Sequence, residues 1–295
     1  MDQPCATIAG TLLRNAAAIL RSAGISGSRN EAEIILAAIL KTPRWKLIVN
    51  AAQEIPPHIE SIYKKSIMTR ADHCPLAYIL QRKEFYGTDF HVSPEVLIPR
   101  PETEFVVEAV IAALAEEGRE KGKGLKIIEL GTGSGAIVIT LALLLPEASF
   151  RAVDISVEAL NIARKNAHAQ GVDKRIRFLK SDYWEIFNDK EECFEVIISN
   201  PPYIPSGKIK TLPPGVRKYE PLQALDGGRD GLDGYRSILS GLQEHASRPA
   251  LLVLEVGVEV AAAAKTLCTQ EAAVVSLNVV KDYQGHDRVI VARLE

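Results

Sequence analysis

The chain has 295 residues, 47% hydrophobic and 24% charged, with a formal net charge of -2. That suits a globular protein of about two domains, and the scattered Lys and Arg, with no dense basic block, argue against tight binding to a nucleic-acid backbone. Cys5, Cys74, Cys193 and Cys268 form no C-x-x-C pair and the six histidines fall in no metal-ligand spacing, so no disulfide framework and no metal site are expected.

The opening residues lack the basic n-region of a signal peptide, and no apolar run approaches the roughly 18 residues of a membrane span; a reduced cytoplasmic setting is expected. Residues 6 to 23 carry apolar side chains at helical spacing (Ile8, Leu12, Leu13, Ala16, Ile19, Leu20) and run to Gly24, a natural helix end. Ser28 or Asn30 can cap a second helix, Glu31 to Lys41, which stops before Pro43. Pro56-Pro57 opens a third, to about Arg70. No strand pattern interrupts these, so residues 1–75 are expected to form a small helical-bundle domain. Residues 76–98 change to two β-prone stretches around Gly87-Thr88, which predict a β-hairpin linker. In residues 99–295 a helix starts at the Pro99 to Glu104 stretch, and alternating strand and helix patterns then follow.

Leu125 to Leu130 reads as a buried strand entering Gly131-Thr132-Gly133-Ser134-Gly135, with a helix from Ala136. Glycines at every second position let backbone approach a ligand at a helix N-terminus, although a plain strand-helix turn has the same look. The spacing is neither the dinucleotide G-x-G-x-x-G nor a P-loop. Asp154 ends the next strand, 19 residues after Gly135, where a carboxylate can accept both hydroxyls of a ribose; capping of the following helix is the alternative. A third strand, Ile176 to Lys180, leads to Asp182-Tyr183-Trp184, an acid and aromatics able to read an adenine; alone, the aromatics suggest ordinary packing.

The strand Phe194 to Ser199 delivers Asn200-Pro201-Pro202-Tyr203 at its C-terminal end, the edge where open α/β sheets bind ligands. A planar NH2 group is a poor methyl acceptor because its lone pair is delocalised. Asn200 can accept one of its N–H groups and a prolyl carbonyl the other, while Tyr203 lies against the planar group. That is orientation and preorganised electrostatics rather than acid-base chemistry. The tetrapeptide also suits a simple turn. Ile204 to Asp233 reads as a long functional loop, followed by helix Tyr235 to His245, strand Ala250 to Val256, helix Val258 to Cys268, and strands Ala273 to Val280 and Val289 to Arg293, the last two an antiparallel pair.

Glu129 to Gly135, Asp154, Asp182 and Asn200 to Tyr203, each at a strand end, resemble the cofactor and acceptor motifs of class I, Rossmann-like S-adenosylmethionine-dependent methyltransferases of the amino-methylating branch. Pro75 to Ile79, Glu84 to Gly87, Ile98 to Glu104, Tyr219-Glu220-Pro221 and the stretch Leu225-Asp226-Gly227-Gly228 with Asp230-Gly231-Leu232 narrow this to the HemK/PrmC family of release-factor glutamine methyltransferases. The resemblance spans nearly the whole chain. It implies an α/β fold with a mostly parallel sheet and an antiparallel last strand, preceded by a substrate-recognition domain over residues 1–75.

It implies, further, N5-methylation of the glutamine in the Gly-Gly-Gln motif of peptide chain release factors, supporting translation termination. Glu129, Gly131, Thr132, Gly133, Ser134 and Gly135 would then face the methionine part of S-adenosylmethionine, Asp154 the ribose, and Asp182 with Tyr183 the adenine. Asn200 borders that cofactor, and with Pro201, Pro202 and Tyr203 it would form the catalytic and substrate-binding motif. Phe90, Arg100, Pro101 and Glu102 resemble positions near the acceptor pocket. Gln81 departs from the family's frequent Gly, and Tyr183 from its frequent Trp. A monomer is expected, acting on release factors with no direct nucleic-acid or membrane partner. A DNA or RNA amino-methyltransferase and a non-catalytic binding module are the rival readings; salt-sensitive nucleic-acid binding would favour the first, and failure to bind S-adenosylmethionine the second.

Overall fold

The computed structural model describes residues 7–187 and 192–295; Cys5 and the first position of the expected first helix lie outside the described residues. The chain forms two compact units, Met1–Gln81 with Pro213–Tyr219, and Arg82–Leu212 with Glu220–Glu295.

The first unit carries β1 (Thr7–Ile8), α1 (Ala9–Ser22), α2 (Ser28–Ile39), α3 (Arg44–Val49), β2 (Glu54–Ile55), α4 (Pro57–Ala71) and α5 (Leu76–Leu80). Leu13, Leu20, Ile35, Leu36, Leu47 and Tyr63 fill its core, and Tyr63 donates its hydroxyl to the Ala32 carbonyl at 3.1 Å. Arg70 grips Glu31 through two nitrogens, Nε at 2.5 Å and Nη2 at 3.2 Å, tying α4 to α2. Three local expectations change. α2 starts at Ser28 itself, capped by Gly27 in the left-handed region rather than by a Ser or Asn side chain. α3 lies where no helix was expected. Leu76 to Leu80 is helical, not extended, because Pro75 sets the backbone for a helix start and Tyr78 turns inward. α5 ends at Gln81 with φ 54°, the left-handed conformation that glycine adopts without steric cost. Gln81 thus holds a backbone conformation that glycine favours.

The second unit opens with the hairpin β3 (Lys83–Phe85) and β4 (Thr88–Phe90), joined by Tyr86 and Gly87, both at positive φ as a tight hairpin turn requires. A 3-10 turn, Pro101–Thr103, leads into α6 (Glu104–Glu116). Then follow β5 (Lys126–Leu130), α7 (Ala136–Leu144), β6 (Ser149–Asp154), α8 (Val157–Ala169), β7 (Ile176–Lys180) and β8 (Phe194–Ser199). The expected loop after Ile204 carries local structure instead: 3-10 turns at Ser206–Thr211 and Leu222–Ala224, with α9 (Pro214–Tyr219), part of the first unit, between them. In that unit Lys218 pairs with Asp72, and the Tyr219 hydroxyl donates to Asp72 Oδ2 at 2.6 Å. The chain closes with α10 (Asp233–Ser240), α11 (Leu242–His245), β9 (Ala246–Glu255), α12 (Ala261–Gln270), β10 (Val274–Lys281) and β11 (Asp287–Leu294). α10 and α11 replace one expected helix because the chain breaks at Gly241, which sits against the Trp184 ring.

The seven strands stand in the order β10-β11-β9-β8-β5-β6-β7. β9, β8, β5, β6 and β7 run parallel, and β11 is antiparallel to both its neighbours. Ile127, Val196 and Val253 face α6 to α8, while Ile128, Ile197 and Leu252 face α10 to α12. Covered on both faces, the strands read as nearly continuous apolar runs. The chain leaves β5 toward β6 and β7 and returns to β8 on the other side of β5, which opens a crevice at their C-terminal ends.

Gly135 starts α7 at φ 81°, and an added Cβ would come within 2.7 Å of Ile139 Cδ1 and 3.2 Å of Ala163 Cβ. Gly135→Ala should therefore lower unfolding stability by about 2 kcal/mol or more, from backbone strain and overpacking together. Urea denaturation followed by circular dichroism measures this; an unchanged midpoint would contradict it.

Candidate active site

The turn after β5 is held from both sides. The amides of Gly131 and Thr132 donate to the Val153 carbonyl at 2.8 and 2.9 Å, and the Gly133 amide donates to Asp154 Oδ2 at 2.8 Å. Glu129 is buried one residue before the end of β5, where its Oε2 accepts from the Thr132 hydroxyl at 2.5 Å and the Val138 amide at 3.2 Å. Burial pushes the Glu129 carboxyl up to about 8 against the pull of those hydrogen bonds, and nearby Asp154 adds to the rise. Asp154 is likewise raised by burial; its Oδ1 accepts from the Ser156 amide at 2.9 Å, and Ser156 in turn caps α8. Backbone donors from Gly133, Ser156 and Ile155 thus hold the Asp154 carboxylate, and its remaining lone-pair capacity can accept from a ribose hydroxyl.

These groups border a cavity of about 800 Å³. Of the expected cofactor residues, Glu129, Gly131, Thr132, Gly133, Ser134, Asp154, Asp182, Tyr183 and Asn200 line it, and Gly135 does not. Tyr183 holds φ 43°, an unusual conformation for an aromatic residue, and burial pushes its hydroxyl up to about 12. Trp184 turns the other way, into the core, donating to the Ile238 carbonyl at 2.9 Å and stacking on His245. The adjacent aromatics therefore separate, one into the cavity wall and one into packing.

On the acceptor side, the Ser199 hydroxyl donates to the Leu130 carbonyl at 2.6 Å and locks the end of β8 to β5. Asn200 follows directly, with Nδ2 directed at Thr103 Oγ1 at 3.4 Å. Pro202 lines the cavity while Pro201 is buried behind it. The Tyr203 ring lies against Gly257 rather than in the cavity wall, and burial pushes its hydroxyl up to about 12. Leu225 to Gly228 braces the tetrapeptide: the Ile204 amide donates to the Leu225 carbonyl at 3.0 Å and the Gly227 amide to the Ile204 carbonyl at 2.9 Å. An added Cβ on Gly227 would sit 2.7 Å from the Pro202 carbonyl oxygen, so the close approach requires glycine.

Phe90, Arg100, Pro101 and Glu102 stand outside the cavity lining, although their neighbours Pro99 and Thr103 belong to it. Phe90 is wholly buried, edge-to-face with Phe85 at 6.0 Å. Arg100 pairs at 2.6 Å with the buried Glu220, which also accepts from the Ile98 amide at 3.3 Å. Sequence reasoning singled out no role for Thr103, which lines the cavity, or for Glu255, a buried acid at the end of an apolar strand.

Comparison with known proteins decides the family. The profile described as "PrmC N-terminal domain" matches residues 11–80, and one described as "Methyltransferase domain" matches residues 121–228. A release factor glutamine methyltransferase of Moorella thermoacetica is 38% identical over 92% of this chain and 94% of that protein; one of Bacillus anthracis is 37% identical over 90% and 93%, and one of Bacillus subtilis 36% over 95% and 96%. The chain belongs to the release factor glutamine methyltransferase family.

Members of that family are S-adenosylmethionine-dependent methyltransferases. Among solved structures, the hMettl16 catalytic domain in complex with MAT2A 3'UTR hairpin 6 aligns with TM-score 0.55 at 18% identity over 78% of this chain and 81% of that one, a likeness of fold. A methyltransferase from Pyrococcus furiosus aligns with TM-score 0.50 at 20% identity over 72% and 91%. Among the described residues no group of three or more His, Cys, Asp or Glu is placed to hold a metal ion, and no helix is long and apolar enough to cross a membrane.

The cavity suits this cofactor. Its volume falls within the usual range for a small-molecule site, and two carboxylates raised by desolvation, Glu129 buried and Asp154 half-buried, suit a cationic ligand with a ribose. A positively charged ligand held beside Glu129 would favour its ionised form, so binding is expected to be strongest with the carboxylate deprotonated and to weaken as pH falls below about 8. Between pH 7.5 and 6, affinity for S-adenosylmethionine should drop by up to about tenfold per pH unit in the wild type and stay nearly flat in Glu129→Gln. Titration calorimetry across that range measures it, and a flat wild-type profile would contradict the role of Glu129.

Proposed function

We propose that this enzyme methylates the N5 side-chain nitrogen of the glutamine in the Gly-Gly-Gln motif of peptide chain release factors. Three things support the reading: the relatives' name, the match of residues 11–80 to a PrmC N-terminal domain, and above all the presence of Asn200 and Pro202 in the same cavity as the glycine turn and Asp154. When bound, S-adenosylmethionine supplies an electrophilic methyl group on a sulfonium.

The chain's own work is to present the amide. Asn200 Oδ1 accepts one N–H of the glutamine and the Pro202 carbonyl the other, so the nitrogen is held with its lone-pair face toward the cofactor. Both acceptors are dipoles with their negative ends at the nitrogen, and they stabilise the positive charge that develops there as the lone pair is used. A proton then leaves for solvent, and no dedicated base is required. The Leu225 to Gly228 brace and the Tyr203 ring on Gly257 hold the tetrapeptide still. Residues 1–75 serve as the substrate-recognition part, the release factor itself being the partner.

The test is incubation of purified release factor with methyl-labelled S-adenosylmethionine, followed by peptide mapping by mass spectrometry. Label on the Gly-Gly-Gln glutamine is expected, with Asn200→Ala reducing kcat by about 10²-fold or more while cofactor binding is retained. Label on nucleic acid instead, or wild-type turnover in the variant, would overturn the proposal.

A further inference from the structure

We propose that Asn166 is a positioning residue for S-adenosylmethionine: from outside the cavity it clamps one wall, the strap of residues 91–99, to another, the glycine turn after β5. The inference concerns the cofactor and holds whichever acceptor is methylated.

Asn166 lies on the inward face of α8 among Ala159, Leu160, Ile162, Ala163 and Ala167, with 3% of its surface exposed. It does not border the cavity itself. A buried amide is costly unless its hydrogen bonds are made, and here both protons and one oxygen lone pair are used. Oδ1 accepts from the His91 amide at 2.8 Å, while Nδ2 donates to the His91 carbonyl at 3.0 Å and to the Ser134 carbonyl at 2.8 Å. Those partners fix the orientation: a flipped amide would set Oδ1 against two carbonyl oxygens and the NH2 group against an N–H.

Both segments joined in this way belong to the cavity. Ser134 lines it directly, and the peptide between Ser134 and Gly135 is held at both ends, its carbonyl by Asn166 and its N–H by the Thr132 carbonyl at 2.8 Å. His91 follows the end of β4 and opens the strap, from which Glu95, Val96, Leu97 and Pro99 line the cavity. By taking both the amide and the carbonyl of His91, Asn166 does what a neighbouring strand would do. One turn on, at the end of α8, Gln170 Nε2 donates to the Asp89 carbonyl at 3.2 Å, so the helix holds alternate residues along one chain edge. The far end of the strap is anchored separately, by Glu220 to the Ile98 amide and to Arg100. Between the anchors Val92, Val96 and Ile98 are buried.

A leucine would fill the same space on α8 with no polar group to satisfy. What the amide adds is a fixed spacing between strap and turn. S-adenosylmethionine then meets two walls already in register, and its binding does not have to order the strap.

The experiment uses the full chain without release factor. Thermal melts confirm that each variant folds, titration calorimetry gives the affinity for S-adenosylmethionine, and amide hydrogen exchange of the cofactor-free chain reads the strap directly. Asn166→Leu should weaken binding by about tenfold or more and speed exchange in the strap. Asn166→Asp, which keeps the acceptor for the His91 amide but has no N–H for Ser134, should weaken binding likewise. Gln170→Ala, which removes a contact to the hairpin but none to the turn, should stay within about twofold of the wild type. Leu97→Ala should weaken binding in the wild type and hardly at all in the Asn166→Leu chain, the coupling that a positioning role requires. Wild-type affinity in both Asn166 variants, faster strap exchange with no loss of affinity, equal weakening in Gln170→Ala, or additive effects of Leu97→Ala and Asn166→Leu would each overturn the inference. Should Asn166→Leu not fold, Asn166→Asp takes its place in every comparison. Absence of label on the release-factor glutamine would sink the proposed function alone and leave this clamp standing.

Discussion

Two carboxylates buried at the C-terminal ends of β5 and β9 set the frame for everything at this edge of the sheet. Glu129 and Glu255 each sit almost fully out of water; Glu129 is met by the Thr132 hydroxyl, while Glu255 Oε2 has no hydrogen-bond partner. An unpaired buried charge costs several kcal/mol, so Glu129 is tolerable only while the groups around it supply donors. Around Glu129 that demand orders the glycine turn through Thr132 and the Val138 amide. At the neighbouring strand end Asn200 directs Nδ2 at Thr103 Oγ1. β8, which carries Asn200, lies between the two strands that bear these acids.

From this frame the chemistry needs little else. The same turn that satisfies Glu129 is pinned to Asp154, so the residues suited to the methionine and ribose parts of S-adenosylmethionine are positioned by one network. The tetrapeptide after β8 is rigid because two prolines restrict its backbone and Leu225 to Gly228 packs directly on it. Rigidity matters here because a conjugated amide nitrogen reacts only when its lone-pair face is aimed.

Much of this was legible in the sequence because its signals are local. The strand-turn-helix pattern of Leu125 to Ala136 and the acid at Asp154 need no distant partner to be recognised, and β7 and β8 occupy the residues the apolar runs marked. What escaped depended on tertiary context. Leu76 to Leu80 has a composition that suits either state, and inward packing of Tyr78 after Pro75 selects the helix. The segment from Ile204 to Asp233 read as a long functional loop without helices because its order comes from partners far away in sequence: Lys218 and Tyr219 hold Asp72, while Glu220 pairs with Arg100. Phe90 carried a functional resemblance, yet its side chain is spent on packing with Phe85. Glu255 was passed over as the end of a strand, although Glu255-Val256-Gly257 repeats the pattern of Glu129-Leu130-Gly131.

The central claim is that Asn200 and Pro202 hold a glutamine nitrogen between two acceptors at the mouth of the cofactor crevice. A crystal structure of the enzyme with S-adenosylhomocysteine and a glutamine-containing release-factor peptide tests it most directly. The account predicts the glutamine nitrogen within hydrogen-bond reach of both Asn200 Oδ1 and the Pro202 carbonyl oxygen, with its face toward the cofactor sulfur. A glutamine bound through its carbonyl to the Asn200 NH2 group, or seated away from the tetrapeptide, would contradict it.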